Sequence, residues 1–166
     1  MEDPGFEALC RRHYADVVRT AYLITGDASE AVDLAQEAFA RAFEHWDRVS
    51  ELDRPEAWLH RVVANLSRSW WRRRLLQRQR DRASDEVVPA PDVADPRLMA
   101  ALRALPHAQR TAVVLRFYAD RSIDEVAQTL GKRPGTIRAL TSQGVARLRS
   151  SLGSIEDEEV SDEDAR

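Results

Sequence analysis

SIDEVAQTLGKRPGTIRALTSQGVARLR, residues 122–149, decides how the rest of this chain is read. Ser122 is a good helix N-cap, and Glu125 three residues later completes a capping box. Ile123, Val126, Ala127 and Leu130 then recur at helical spacing and give one apolar stripe. Gly131 stands where a left-handed residue ends a helix, and Pro134 with Gly135 opens another. That second helix buries Ile137, Leu140, Val145 and Leu148, so Arg138, Thr141, Ser142 and Gln143 project elsewhere. Two short helices on a tight turn, with donors near the start of the second, form the helix-turn-helix that enters a DNA major groove. An antiparallel hairpin in a packed core is the plainer alternative. The coincidence of capping box, glycine turn and basic second helix favours DNA.

Outward from this motif, charge is distributed in blocks. The net charge of −3 names no partner. Residues 1–47 carry ten acids against four Arg, whereas residues 68–82 hold seven Arg and one acid. Residues 110–149 carry eight bases against three acids, and residues 156–164 hold seven acids. Such alternation predicts at least two kinds of surface. Low Gly and Pro content and the near absence of alternating strand patterns predict an all-α fold.

Upstream, a helix over about residues 4–25 is predicted, stopped by Gly26, with Phe6, Leu9, Cys10, His13, Tyr14, Val17, Ala21 and Ile24 on one face. Asp27 caps the next helix, with Glu30 in the capping-box position. Its apolar positions are Val32, Ala35, Phe39, Ala42 and Trp46, opposite a charged face of Asp33, Gln36, Glu37, Arg41 and Glu44. After a loop over 48–52, Asp53 is the expected cap of a third helix, buried through Trp58, Leu59, Val62, Val63 and Leu66. This helix continues into SRSWWRRRLLQRQR, where tryptophans interleave with Arg. That pattern suits single-stranded or distorted nucleic acid, since bases stack on aromatic faces while Arg meets phosphate. Residues 83–95 read as a Pro-stiffened linker, followed by short helices over about 96–104 and 108–118. The acidic end from 153 is too poor in apolar residues to order itself.

Cys10 is the only cysteine, which excludes an intrachain disulfide framework, and a small buried core residue is its simplest role. The four His (His13, His45, His60, His107) lack metal spacing, and no Gly-rich phosphate loop occurs. No catalytic, metal or cofactor site is therefore expected. Without a signal peptide or an apolar run long enough to cross a bilayer, the chain reads as cytoplasmic with no membrane span.

At this point the pieces resemble the extracytoplasmic-function (group IV) sigma factors of bacterial RNA polymerase, of the sigma-E-like actinobacterial type. Asp33-Leu34-Ala35-Gln36-Glu37-Ala38-Phe39-Ala40-Arg41 is similar to that family's DL-x-QE-x-F-x-R signature. Pro55, Trp58-Leu59, Arg61, Asn65 and the run Arg72-Arg73-Arg74 resemble its P-x-x-WL-x-R-x-x-x-N pattern with trailing bases. Leu105-Pro106, Arg110 and Leu115 match the opening of its C-terminal module.

The resemblance implies a region 2 helical bundle over 1–82, a linker over 83–95, a region 4 helix-turn-helix over 96–152, and a disordered acidic tail over 153–166. It assigns Asp33, Gln36, Glu37 and Arg41 to docking on the clamp helices of the largest subunit of core RNA polymerase. Arg48, Arg61, Asn65, Arg68, Trp70, Arg72, Arg73 and Arg74 would face the −10 element of promoter DNA. Arg133, Thr136, Arg138, Thr141, Ser142 and Gln143 would meet the −35 element. An anti-sigma factor wedged between the modules is the implied regulator. Two departures stand out. Trp70-Trp71 is bulkier than the usual filling, and Gly144 interrupts the recognition helix at a cost of up to about 1 kcal/mol, which suggests close packing there. A conventional helix-turn-helix repressor binding closed duplex, or a helical protein adaptor, is the alternative.

Overall fold

A computed structural model describes residues 3–77, 90–92 and 95–163, with 154–163 as backbone only. The regular elements among the described residues are all helices, without strands. Helix α1 (Pro4–Thr25) starts at Asp3, whose carboxylate accepts from the amides of Gly5 and Phe6 at 2.8 and 3.2 Å. It stops at Gly26, which takes φ 70°, the left-handed conformation that favours glycine. Helix α2 (Ala28–Glu44) is capped by Asp27, which accepts from the Glu30 amide at 2.9 Å. A single turn, α3 (Trp46–Val49), occupies the start of the expected loop. Helix α4 (Pro55–Gln77) opens directly after Arg54, one residue beyond the expected Asp53 cap. Proline at the first helical position, with φ already fixed, sets that start.

The first core forms where α1, α2 and α4 meet. Ala31, Ala35, Ala38 and Ala42 line the buried side of α2 and let it approach α1 closely, against Val17, Ala21 and Ile24. Leu59 and Val63 close the core from α4.

The second half comprises α5 (Pro96–Ala104), α6 (His107–Val113), α7 (Ile123–Leu130) and α8 (Pro134–Glu163). In place of one helix to residue 118, α6 gives way to a π-helical turn over Val114–Tyr118. The Ser122–Glu125 capping box forms reciprocally, and Gly131 adopts φ 62° after α7, as the sequence predicts. Leu115, Val126, Leu130 and Ile137 form the second core.

Two differences from the sequence reading matter. First, the halves are packed into one another: Met99, Leu102, Leu105 and Val114 join the first core, and Ala64 of α4 joins the second. Local periodicity reports which face of a helix is apolar and says nothing about which module covers it. Most of the expected linker lies outside the described residues. Second, α8 continues as backbone helix through Glu163, across the segment expected to lack order; residues 164–166 lie outside the description. No proline interrupts that segment, and extending an existing helix avoids the unfavourable nucleation step.

Gly144 is explained by contact. A Cβ there would stand 2.6 Å from Cγ2 of Val113, on the facing α6. Val113 is β-branched and stiff in a helix, so it cannot easily yield. Gly144→Ala is expected to destabilise the protein by about 1 kcal/mol or more, overpacking outweighing the gain in helix propensity. Gly153→Ala in the same helix, where a Cβ meets nothing within 4 Å, is expected to stabilise by about 0.5–1 kcal/mol. Urea titrations of the two variants check the opposite signs.

Candidate functional site

Three separate solvent faces carry the residues singled out by sequence. On α2, Asp33, Gln36, Glu37 and Arg41 are all exposed, because the alanine stripe on the other side holds the helix against α1. Arg41 Nε donates to Glu37 Oε1 at 2.7 Å, one turn away. Phe43 lies beside this face, half exposed, its ring edge-on to Phe6 at 5.0 Å. Apolar periodicity gave no reason to expect an exposed phenylalanine there.

The second face runs along α4. Arg61, Asn65, Arg72 and Arg73 are exposed, as is Arg48 on α3. Arg74 is half-buried: Nη1 donates to Asp27 Oδ2 at 3.3 Å, and the guanidinium lies 5.2 Å over the Trp70 ring. Arg74 thus ties the end of α4 to the α2 cap. Trp70 itself is only 7% exposed, so its indole is a core residue and not a free stacking platform. Trp71 is the accessible partner of the pair, and it is stacked on His107 with ring centroids 5.2 Å apart and planes at 14°. A cleft of about 410 Å³ between the halves is lined by Leu52, Arg54, Trp58 and Arg61 on one side and Arg121 and Thr129 on the other.

The third face is the first part of α8. Arg133, Thr136, Arg138, Ser142 and Gln143 are exposed. Thr141 departs from expectation. It is 7% exposed, and its hydroxyl donates back to the carbonyls of Ile137 and Arg138 at 2.9 and 3.0 Å. A threonine in a helix interior commonly satisfies itself this way, which removes it from base reading in this arrangement. Gln143 Oε1 accepts from Gln109 Nε2 at 3.1 Å.

One residue was visible only as a motif letter. Arg110 is 2% exposed. Its Nη1 donates to the Ile24 carbonyl at 3.0 Å, and Nη2 to the carbonyls of Arg103 and Leu105 at 2.9 and 3.3 Å. The guanidinium also lies 5.4 Å over the Trp71 ring. Burial lowers its pKa to about 10, which leaves it charged at neutral pH.

Burial, and secondarily Arg110 and Arg68, push the His107 imidazole down to about 4 from 6.5. The packed chain therefore resists a proton that the unpacked chain accepts. The stability that His107 contributes is full above about pH 6.5 and falls as pH drops towards about 4. A His107→Gln variant is expected to lose this dependence, so thermal melts of the two proteins should diverge as pH is lowered from 7 to about 4.5. Burial also raises the Cys10 thiol, which fits a core role. Among the described residues, no cluster of three or more His, Cys, Asp or Glu could hold a metal, and no helix is long and apolar enough to cross a membrane.

Comparison with known proteins matches residues 9–76 to the sigma-70 region 2 family and residues 96–148 to sigma-70 region 4. The chain is 32% identical to the RNA polymerase sigma-E factor of Streptomyces antibioticus, over 97% of this chain and 88% of that one. It is 37% identical to the ECF RNA polymerase sigma factor SigE of Mycolicibacterium smegmatis, over 90% of this chain and 62% of that one. Its fold is similar to that of the sigma factor RpoE of Bartonella quintana, solved in complex with the anti-sigma factor NepR. The TM-score is 0.73 at 23% identity, covering 89% of this chain and 96% of that chain.

Proposed function

The chain belongs to the extracytoplasmic-function sigma factors of the sigma-70 family, and from that membership we propose a division of labour among its three exposed faces. As a sigma factor it serves RNA polymerase in promoter recognition. Asp33, Gln36, Glu37 and Arg41 dock on the clamp helices of the largest subunit of core polymerase. Arg61, Asn65 and Arg68, with Arg48, Trp71, Arg72 and Arg73, engage the −10 element. Arg133, Thr136, Arg138, Ser142 and Gln143 meet the −35 element. The matched spans support a region 2 unit within 1–82 and a region 4 unit within 96–152, with a connection over 83–95. The protein works in the cytoplasm, and an anti-sigma factor of the kind solved with RpoE is its proposed regulator.

The observation that carries this reading is that an acidic face with its own ion pair and a basic, aromatic face occupy different helices of one small unit. A repressor that reads closed duplex needs only the third face. Promoter opening needs no catalytic side chain. Extruding a base costs a few kcal/mol, and stacking returns about 1–3 kcal/mol per base, so several contacts must act together. Arg72 and Arg73 add sequence-independent affinity that weakens steeply with salt.

Arg138 supplies the direct test of the −35 assignment. A well-placed arginine discriminates between bases by about 1–3 kcal/mol. With holoenzyme reconstituted from Arg138→Ala, site selection is expected to lose preference at one or two −35 positions and keep its −10 profile. An unaltered −35 profile would remove Arg138 from the reading set.

A further inference from the structure

Of the exposed side chains assigned to the −35 element, one is anchored to another element among the described residues. Gln143 Oε1 accepts from Gln109 Nε2 at 3.1 Å, across the contact between α8 and α6. The side chains of Arg133, Thr136, Arg138 and Ser142 make no such bond there. The anchor is itself buried. Gln109 is 6% exposed, and its Oε1 accepts no hydrogen bond from the described residues. An apolar side chain of similar length would fill the same place without burying an unpaired carbonyl, which costs free energy. What distinguishes the amide from such a filling is the bond its NH₂ gives to Gln143.

Gly144 brings the two glutamines together. A Cβ at residue 144 would lie 3.6 Å from the Gln109 carbonyl oxygen and 3.7 Å from Gln109 Cβ, besides its clash with Val113. With only hydrogen there, the α8 backbone sits low over α6, and the adjoining Gln143 comes within reach of the buried amide. An unanchored glutamine loses several side-chain torsions when it pairs with a base, and that loss weakens binding. Held at its oxygen, Gln143 has lost much of this freedom before DNA arrives. The bond does not use the side chain up. An amide oxygen has two lone pairs and its NH₂ two hydrogens, and the Gln143 side chain makes no second hydrogen bond among the described residues. An acceptor and a donor therefore remain. Adenine is their match in the major groove, since its N6 donates and its N7 accepts.

We infer that Gln109 is a positioning residue for promoter reading: from its buried seat on α6 it sets Gln143 of α8 to recognise an adenine of the −35 element. The inference deepens the −35 assignment proposed above and rests on it. Gln109 acts through Gln143 alone, and both residues lie within the span matched to region 4.

The test is site selection by holoenzyme, reconstituted from core polymerase and the full chain, on templates randomised across the −35 region. The wild type should favour adenine at one position by about 5- to 150-fold. Gln143→Ala should erase that preference. Gln109→Met, similar in volume but without the donor, should lower it about 2- to 10-fold and leave the other −35 positions as they were. In a Gln143→Ala background, Gln109→Met should change nothing more. A preference untouched by Gln109→Met, a uniform loss at every position, or a loss that persists without Gln143 would each overturn the positioning role. Preference for another base at the position that Gln143→Ala affects would overturn the adenine reading. If Gln143→Ala affects no position, the −35 assignment of Gln143 fails, and the inference fails with it. A measurement on the wild type alone covers the case in which Gln109→Met does not fold. By ¹⁵N relaxation of the free chain, the side-chain amide of Gln143 should be distinctly more ordered than that of exposed Gln36. Equal mobility of the two amides would overturn the inference.

Discussion

Exchanging the charges of the α2 pair, Glu37→Lys with Arg41→Glu, is expected to abolish core polymerase binding and leave the fold intact. The two residues are one helical turn apart and about half exposed. A pair of that kind contributes only about 0.3–0.5 kcal/mol, and the exchanged pair re-forms with the opposite polarity. Stability should therefore stay within about 0.5 kcal/mol of the wild type. The surface offered to the polymerase changes sign at both positions, and opposed or unpaired interface charges cost about 2–5 kcal/mol. That corresponds to a loss of core affinity of about 30-fold to several thousand-fold. Fluorescence titration against core enzyme reads the affinity, and a thermal melt reads the fold. Unchanged core affinity would take the docking face off α2.

The largest stability effect is expected at Arg110. Its guanidinium spans three carbonyls, one at the end of α1 and two in the α5–α6 connection. Arg110→Met keeps roughly the volume and leaves all three acceptors without their donor. Removing one partner of a buried charged network costs about 3–5 kcal/mol, close to the whole margin of a marginal domain. Because one of those carbonyls belongs to Ile24, the variant should also loosen one half from the other. A denaturant titration followed by Trp fluorescence is expected to show a lower midpoint, with the single transition broadened or split. A wild-type midpoint would mean that the three bonds contribute nothing net.

Much of this architecture could be read locally. Capping by Ser122 and Asp27 relies on a side chain and an amide three residues away, and such signals survive in sequence. Gly26 and Gly131 mark helix ends because few other residues adopt their φ. The exposed α2 face was legible because Ala35, Phe39 and Ala42 mark the buried side at helical spacing. Gly144 announced a close approach, although only the fold shows that Val113 is what it approaches.

What escaped depends on distant parts of the chain. Arg110 looks like any surface arginine until Ile24, 86 residues away in sequence, supplies a carbonyl. Trp70 and Trp71 are neighbours of equal chemistry, and only packing makes one core and the other a stacking partner of His107. Thr141 has the donor a base reader needs, but its hydroxyl is spent on its own helix. The charge blocks pointed to different surfaces. They did not reveal that the second half covers part of the first.

The central claim is that one chain couples core polymerase to melted promoter through separate grips. It is tested most directly by multiple-round run-off transcription with purified core enzyme on templates randomised at −10 and −35. Core alone should be silent on these templates. With the chain added, transcripts should arise from a subset enriched for one −35 and one −10 sequence at a fixed spacing. No chain-dependent transcript from any template, alongside tight binding of the chain to closed duplex, would contradict the account.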